Sequence, residues 1–334
     1  MLSSDYPSFT LVMPTIGWDN TFCRCARAAL AGLETDDEAL VVFDGLPPAP
    51  PSWLLQSGAR LLNTGLRQGP AAARNLAARS AHGEILLFVD ADVELAPAAI
   101  ERIRARFRAN PTLTAVFGSY DDRPAAPGVV SRFRNLLHHH THSSHPGAAT
   151  TFWAGCGAVR REAFQAAGGF DAVAYKCPSI EDIEFGLRLS DAGGRIELDP
   201  SIQGTHHKRW TLRSMVATDI RQRAIPWSRL VLRRGSRSTH LNLDRIARLS
   251  ALLSLTVVVI SLALPFVPTL WPLPLLALAL IVLFNRGFYA LCFRRGGALL
   301  ALAAVPLHFL FFCYSSLSFC LVMLQQALTG NGQT

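Results

Sequence analysis

The stretch EILLFVDAD, residues 84–92, decides how the N-terminal part of this chain is expected to fold. Residues 84–89 form a short, mostly apolar run, which is typical of a buried strand. Asp90 and Asp92 follow at once, so both carboxylates are predicted at the carboxyl end of that strand. Open α/β sheets bind their ligands beyond the carboxyl ends of their strands. The stretch therefore predicts an α/β fold with a ligand site at these two acids.

Apolar runs alternate with helical patterns on both sides of this stretch. Strands are predicted at Phe9–Pro14, Ala39–Phe43, Ala59–Asn63 and Leu113–Gly118, with a last short strand at Ile196–Leu198 and the Pro200 region, and helices at Asn20–Leu33, Ala71–Ala81 and Pro97–Ala109. Strand–helix–strand order is typical of a mostly parallel sheet covered by helices. Residues 119–150 carry few regular signals and are predicted as a long loop.

The C-terminal third has a different composition. The chain of 334 residues is 50% hydrophobic with a mean hydropathy of +0.25, and the apolar excess lies after Ile246. A membrane-spanning helix needs about 20 apolar residues. Spans are therefore predicted at about 246–267, 270–287 and 298–324. The predicted domains are residues 1–212, a basic interfacial segment at 213–245, and a transmembrane region at 246–334.

The net charge of +8 leaves two classes of partner open, an anionic lipid and an anionic substrate. A run of arginines lies just before the first apolar span, as expected of a segment beside anionic headgroups, whereas no aromatic-interleaved nucleic-acid motif is present. Nucleic acid is therefore not a predicted partner. Arg221–Leu232 is basic and amphipathic, which predicts a helix lying on the membrane; a surface helix of the soluble domain is the alternative.

The basic residues near the apolar spans predict an orientation. The flank before the first span and the loop with Arg286, Arg294 and Arg295 are basic, while the tail after Leu324 is uncharged. The N-terminus lacks the pattern of a cleavable signal peptide. We therefore expect a multi-pass protein of the inner (plasma) membrane, with the first domain in the cytosol and the C-terminus outside.

Asp90 and Asp92 have the chemistry of a metal site. Hard carboxylate oxygens at a strand end suit Mg²⁺ or Mn²⁺ that a diphosphate also holds. An Asp-x-Asp sequence alone could equally be a solvated turn.

Four motifs follow one another along the chain: LVMPTIG at 11–17, VVFDG at 41–45, GPAAARN at 69–75 and FVDADV at 88–93. Their order resembles glycosyltransferase family 2, the inverting enzymes with the GT-A fold, over roughly Phe9 to Trp210. The resemblance implies a Rossmann-like nucleotide-sugar domain and a UDP- or GDP-sugar donor. It implies donor contacts at Pro14, Asp44, Gly69, Arg74, Asn75 and Asp90, and a metal at Asp90 and Asp92. Phe43 and Leu46 depart from the family pattern, which leaves the base open.

A second pair of acids, Glu181 and Asp182, lies in the sequence IEDIEF. It resembles the family's Glu-Asp motif, which implies Asp182 as the general base, with Glu181 beside it in the catalytic site. A hydroxyl is a poor nucleophile until a carboxylate takes its proton. The alternative is that these are acids in the first turn of a helix, where the helix dipole favours them.

Two further segments resemble the acceptor side of the family's cleft. WAGCGAVRREAF at 153–164 implies that Gly155 and Gly157 line that side, and the sequence HHKRW at 206–210 resembles a Gln-x-x-Arg-Trp motif with His206 in the Gln position. Arg209 could pair with the leaving diphosphate, Trp210 could stack on an acceptor sugar, and His206 could complete the metal shell. The alternative for this segment is a basic, aromatic belt at the membrane interface.

The histidines of residues 138–145 are not predicted as a metal site, because no Cys or carboxylate completes a zinc spacing. They are expected in a loop near lipid headgroups.

The expected function is inverting transfer of a sugar from a nucleotide-diphosphate sugar to a hydroxyl of a lipid-linked or membrane-associated acceptor, either a lipid or a glycan. Three alternatives stay open: a polyprenyl-phosphate glycosyltransferase, a processive polysaccharide synthase, and a membrane scaffold with an inactive sugar-nucleotide domain.

Overall fold

The structure is a computed structural model that describes residues 7–234 and 245–329. The chain divides into two compact units. The first contains residues 1–125 and 142–208, and the second contains residues 126–141 and 209–334. The first unit thus ends four residues before the predicted domain boundary at 212, and a short internal segment belongs to the second unit. The domain boundaries stay a prediction.

The described part of the first unit is built on one mixed sheet. Its strands are β1 (Phe9–Thr15), β2 (Glu38–Phe43), β3 (Arg60–Asn63), β4 (Ile85–Val89), β5 (Val93–Leu95), β6 (Leu113–Tyr120), β7 (Gly147–Ala149), β8 (Cys156–Arg160) and β9 (Arg195–His206). Their order is β3-β2-β1-β4-β8-β6-β9-β5, with β7 paired to β9. The α/β expectation is confirmed. The sheet is less parallel than predicted, because β8 enters antiparallel between β4 and β6, and β5 and β7 pair antiparallel with β9.

Helices cover this sheet. They are α1 (Asn20–Leu30), α2 (Ser52–Leu55), α3 (Pro70–Ser80), α4 (Ala99–Ala109), α6 (Arg161–Ala166) and α7 (Glu181–Asp191). One more helix, α5 (Val129–Ser143), lies between β6 and β7 in the chain, and its residues up to Thr141 belong to the second unit. Local sequence explains where two of them begin. The side chain of Asp19 caps α1 by accepting the amide of Phe22 at 2.8 Å, and Pro70 fills the first turn of α3, where its missing amide hydrogen costs no hydrogen bond.

Two sequence predictions for this region are wrong. Residues 119–150 are not one loop, because α5 and β7 lie within them. Phe133, Leu136 and Leu137 recur at helical spacing and are buried in the core of the second unit, a pattern that the neighbouring histidines obscure. The last strand, predicted to be short at Ile196–Leu198 and the Pro200 region, is instead the twelve-residue strand β9, which continues to His206.

The second unit continues with α8 (Leu212–Thr218), a π-helical turn at Asp219–Ala224, α9 (Ile225–Arg234), α10 (Arg245–Ala263), α11 (Pro272–Phe284) and α12 (Arg286–Leu328). Within the described ranges, α10 and α12 are the two helices long and apolar enough to cross a membrane, by length and composition. The first predicted span extends four residues past the end of α10. The middle one is a 13-residue apolar helix, shorter than the predicted 270–287. A left-handed backbone at Gly297, with φ of 70°, breaks α12 just before the third predicted span.

A buried carboxylate ties the second unit together. Asp219 is 2% exposed and accepts hydrogen bonds from Arg134 on α5 at 2.9 Å, from Arg223 at 2.8 Å and from the hydroxyl of Tyr314 on α12 at 2.6 Å. Burial raises the pKa of this carboxyl, but the charges of the two arginines and the Tyr314 hydrogen bond outweigh burial and hold the pKa below its usual range. Asp219 is therefore ionised and joins three segments that are distant in sequence.

Candidate active site

Asp92 and His206 meet because β5 pairs antiparallel with β9. Val93 lies opposite His206 in that ladder, and the Nε2 atom of His206 is 3.4 Å from Oδ2 of Asp92. Burial raises the pKa of Asp92, but the hydrogen bond and charge of His206 and the charge of Lys208 outweigh burial and lower the pKa overall. Asp92 is therefore ionised, with a side chain that is 37% exposed and open to a ligand.

Arg74 connects the two predicted acid pairs. Its Nη2 atom lies 2.5 Å from Oδ1 of Asp90, and its Nη1 atom lies 3.0 Å from Oε1 of Glu181. Arg74 is 4% exposed, and its guanidinium carbon lies 5.6 Å from the ring centroid of Phe170. Burial alone would lower the pKa of Arg74, but Asp90, Glu181 and Asp182 raise it, so the group stays charged. The acids predicted from separate motifs thus form one cluster.

Asp182 is held at the first turn of α7 as a potential proton acceptor. Oδ2 accepts the amide hydrogen of Ala154 at 3.0 Å, and Oδ1 accepts that of Ile183 at 2.8 Å. Burial and the charge of Glu181 raise the pKa of Asp182 to about 7, despite the amide of Ala154 and the nearby Arg74, which lower it. Glu181 is instead paired with Arg74 and with the amide of Ser179. Of the two acids, Asp182 is the one poised to take a proton near neutral pH.

Two of the predicted donor-binding residues, Asp44 and Gly69, fix the conformation of the loop that precedes α3. The carboxylate of Asp44 accepts the amides of Gln68 at 2.7 Å and Gly69 at 2.9 Å and the hydroxyl of Thr64 at 3.0 Å. Gly69 has a φ of 90°, and a Cβ there would strike the carbonyl of Lys176. Asp44 therefore fastens the loop that leads into α3.

Two other predicted donor-binding residues, Asn75 and Pro14, contact parts of this chain. The side chain of Asn75 donates to the carbonyl of Phe170 at 2.7 Å and accepts its amide at 2.9 Å, which fixes the turn at Gly169. Pro14 lies within buried strand β1, opposite Val42 of β2. Neither contact excludes a ligand at the nearby strand ends, and the role of both residues in donor binding stays a prediction.

Gly155 and Gly157 lie so close to neighbouring residues of this chain that a larger side chain would clash at either position. A Cβ on Gly155 would strike the ring of Trp153, and one on Gly157 would strike the carbonyl of Trp153 and the ring of Phe152. The carbonyl of Gly155 also accepts the amide of Asp90 at 3.2 Å. These glycines hold the segment that carries Ala154 against the end of β4. Their predicted place beside an acceptor stays untested.

Arg209 and Trp210 belong to the second unit. Trp210 is 5% exposed, and its backbone exchanges hydrogen bonds with the hydroxyl of Ser131 at 2.8 and 3.1 Å. Its ring is buried in the core of that unit, with the guanidinium of Arg223 5.8 Å from the ring centroid. Trp210 therefore packs as a core residue here, while the side chain of Arg209 is exposed.

Sequence reasoning missed the aromatic residues around His206. Tyr120, at the end of β6, stacks on the imidazole with 4.3 Å between ring centroids and a 7° angle between planes. Trp153 meets Tyr120 edge-on at 4.8 Å. The available signal was that Tyr120 lies two residues after the predicted strand Leu113–Gly118. Next to this group, His207 pairs with Glu94 at 2.6 Å.

The donor atoms at Asp92 and His206 suit a divalent cation that shares its coordination with a diphosphate. In the described ranges, no three His, Cys, Asp or Glu side chains converge in a geometry that could hold a metal. Asp90 has one oxygen on Arg74, so Asp92 and His206 are the two side chains placed together. Mg²⁺ is typically held by one or two carboxylates plus substrate phosphates. The residues present fit such a partial site.

Residues 10–168 match the family model described as glycosyl transferase family 2. This region is a glycosyltransferase family 2 domain. The pre-mycofactocin glycosyltransferases of two Mycobacterium tuberculosis strains, CDC 1551 / Oshkosh and ATCC 25618 / H37Rv, are each 28% identical to the chain over 163 residues. Those matches cover 45% of this chain and 32% of each relative's own length.

The glycosyltransferase domain also has a structural relative. A mannosyltransferase from Pyrobaculum calidifontis, solved in complex with GDP-Man and Mn²⁺, superposes with a TM-score of 0.57 at 18% identity. The match covers 97% of this chain and 89% of that chain. The expected GT-A fold and the expectation of a transferase domain of this family are confirmed.

Proposed function

We propose that the protein is an inverting glycosyltransferase that moves a sugar from a nucleotide-diphosphate sugar to a hydroxyl of a lipid-linked or membrane-associated acceptor. The observation that carries the proposal is the difference between the two neighbouring acids of α7. Arg74 neutralises Glu181, whereas Asp182 is held by two backbone amides with a pKa near 7. A carboxylate with that pKa is matched to accept a proton at neutral pH.

The donor side of the proposal rests on Asp92, His206 and Arg74. Asp92 and His206 would hold Mg²⁺ or Mn²⁺, which supplies positive charge to the diphosphate when bound. The structural relative was solved with GDP-Man and Mn²⁺, which supports a nucleotide-sugar donor of the UDP or GDP type and a divalent metal here. Arg74 pairs with both Asp90 and Glu181, and it would add a buried positive charge on the side where the diphosphate is proposed to bind.

On the acceptor side, Asp182 would remove the proton of the hydroxyl as its oxygen attacks the anomeric carbon. The C–O bond to the diphosphate breaks on the opposite face, so the configuration inverts. The hydrogen bonds from Ala154 and Ile183 hold the carboxylate in one orientation for this transfer. A polyprenyl-phosphate acceptor is already ionised and would need no such base, so Asp182 favours the hydroxyl. The intact Asp92 and Asp182 also argue against an inactive scaffold.

The membrane part of the proposal rests on α10, α12 and the basic residues near them. α10 and α12 meet the length and hydropathy of a span, and α9 combines exposed Arg229 and Arg233 with half-buried apolar residues. We infer a multi-pass protein of the inner (plasma) membrane with a cytosolic catalytic domain and an external C-terminus. A processive polysaccharide synthase is disfavoured, because so few spans leave little material for a translocation channel.

Replacing the proposed base tests the acceptor class. Asp182→Asn keeps the size of the side chain but cannot accept the proton, so we expect turnover to fall by roughly 10²- to 10⁴-fold. The measurement is nucleoside diphosphate release by the full-length protein in membranes, with a panel of UDP- and GDP-sugars and a lipid extract as acceptor. Donor affinity should stay within a few-fold of the parent.

Asp191→Asn is the matched control, since Asp191 is an exposed acid on the same helix, and it should retain normal turnover. A near-normal rate for Asp182→Asn, in a folded and donor-binding protein, would refute the hydroxyl acceptor and favour a lipid phosphate.

The proposed topology is tested with reporters fused at the C-terminus. An odd number of spans puts Thr334 outside the cytosol, so alkaline phosphatase fused there should be active and a fluorescent reporter that matures only in the cytosol should be dark. The control is the same pair fused after Lys208, where the result should reverse. A cytosolic signal from the fusion at Thr334 would contradict the three-span arrangement.

A further inference from the structure

The ring of Tyr120 lies flat against His206. The centroids are 4.3 Å apart and the planes differ by 7°, so the two rings overlap almost in parallel. Both side chains are buried, each with 7% of its surface exposed. The proposed function assigns no role to Tyr120, and no sequence motif pointed to it.

Sheet pairing brings the two rings together. β6 runs parallel to β9, with Tyr120 opposite Gly204, two residues before His206. β5 flanks β9 on its other edge, so His206 is held between the strand that carries Tyr120 and the strand that follows Asp92. The stack and the 3.4 Å contact of Nε2 with Asp92 therefore act on the same imidazole from two sides.

Trp153 supports Tyr120 from behind. Its ring meets Tyr120 edge-on, at 4.8 Å and 90°, and His142 packs on Trp153 at 5.3 Å. Trp153 directly precedes Ala154, whose amide holds Asp182. The same short segment thus contacts the proposed base through its backbone and the stack on His206 through its side chain.

A stacked partner matters because an imidazole ligand is directional. The lone pair of Nε2 lies in the ring plane, so rotation about the Cβ–Cγ bond swings it away from any shared ligand. Groups that fix the orientation of a metal-ligating histidine commonly change metal affinity by about 10- to 100-fold when removed. A stacked aromatic ring stabilises its partner less than such a group does. Its removal is therefore expected to weaken metal binding by roughly twofold to tenfold.

We propose that Tyr120 is a positioning residue that holds the His206 imidazole in the plane where Nε2 faces a divalent cation shared with Asp92. The inference rests on the metal site of the proposed function. Trp153 keeps the Tyr120 ring from tilting out of the stack. The aromatic face of Tyr120, rather than its hydroxyl, performs this role.

The test is Mn²⁺ binding, followed by the loss of the free Mn²⁺ electron paramagnetic resonance signal. Full-length protein in detergent is titrated with Mn²⁺ in the presence of UDP or GDP. Tyr120→Phe keeps the ring and should bind Mn²⁺ within about twofold of the parent, whereas Tyr120→Leu should bind roughly twofold to tenfold more weakly. In a His206→Ala background, Tyr120→Leu should have no further effect, because the ring it positions is gone.

Three outcomes would overturn the inference while leaving the metal site intact. They are parental Mn²⁺ binding by Tyr120→Leu, equal weakening by Tyr120→Phe and Tyr120→Leu, or an additive loss in the His206→Ala background. Circular dichroism checks folding, and Tyr120→Met replaces Tyr120→Leu if the latter is unfolded. If both are unfolded while Tyr120→Phe folds, Tyr120 is a core residue and the inference fails. Failure of the parent protein to bind Mn²⁺ with either nucleotide would instead remove the proposed metal site.

Discussion

Each unit contains an ion-pair cluster, and the two clusters have opposite composition. In the first unit, one arginine, Arg74, is shared by two acids, Asp90 and Glu181. In the second unit, one acid, Asp219, is shared by Arg134 and Arg223 and also accepts the hydroxyl of Tyr314. The first cluster therefore has an excess of negative charge, and the second has an excess of positive charge.

The two clusters also differ in exposure. The first is accessible to a ligand, whereas the second connects segments of the chain. The side chains of Asp90 and Asp92 are 31% and 37% exposed, so their negative charge is open to a cation. Asp219 is 2% exposed, and its partners come from three helical segments of the second unit. Breaking a buried pair leaves a charge without its partner and costs much more than losing an exposed pair. We expect the second cluster to act in stability and the first in chemistry.

The largest effect is expected when the central acid of the second cluster, Asp219, is replaced, and it should be a loss of stability. Asp219→Asn removes the carboxylate that pairs with the buried guanidinium of Arg134, which should cost about 3–5 kcal/mol of stability. Thermal unfolding of the full-length protein in detergent measures the loss. Arg221→Gln, an exposed arginine in the same π-helical turn, is the control and should leave the midpoint nearly unchanged. A midpoint for Asp219→Asn equal to that of the parent would mean that the second cluster is not a structural element.

A smaller effect is expected from removing the central arginine of the first cluster, and it should appear in the pH profile. Asp182 must be ionised to accept a proton, so kcat/KM of the parent should fall below a pH near 7. The charge of Arg74 lowers the pKa of Asp182, so Arg74→Gln should move this acid limb upward by roughly one pH unit or more.

The pH profiles are recorded with saturating metal and several donor concentrations, so that kcat and kcat/KM are separated. Arg79→Gln, an arginine in the last turn of the same helix, serves as the control and should leave the limb in place. An acid limb that stays fixed in Arg74→Gln would show that Asp182 is not the group that titrates.

Much of the fold and the identity of the acids could be predicted from the sequence, because these features are local. An apolar run ending in Asp90 and Asp92 predicts a strand with two carboxylates at its end, and β4 ends at Val89 as expected. Glu181 and Asp182 begin α7, and the long apolar helices of the C-terminal third follow from length and hydropathy. Periodicity and residue type are properties of adjacent residues, so a single sequence contains them.

Only the tertiary structure decided which of these groups are partners. Arg74 reaches Asp90 across 16 residues and Glu181 across 107, and α5 packs in a core whose other helices begin some 70 residues later. Trp210, expected to face a sugar, is buried in that same core, while Tyr120 came to stack on His206. Such contacts depend on the order of the strands in the sheet and on which face of each helix packs against an apolar surface. Neither is encoded by spacing along the chain, because contacts between distant residues are set by the packing of whole elements.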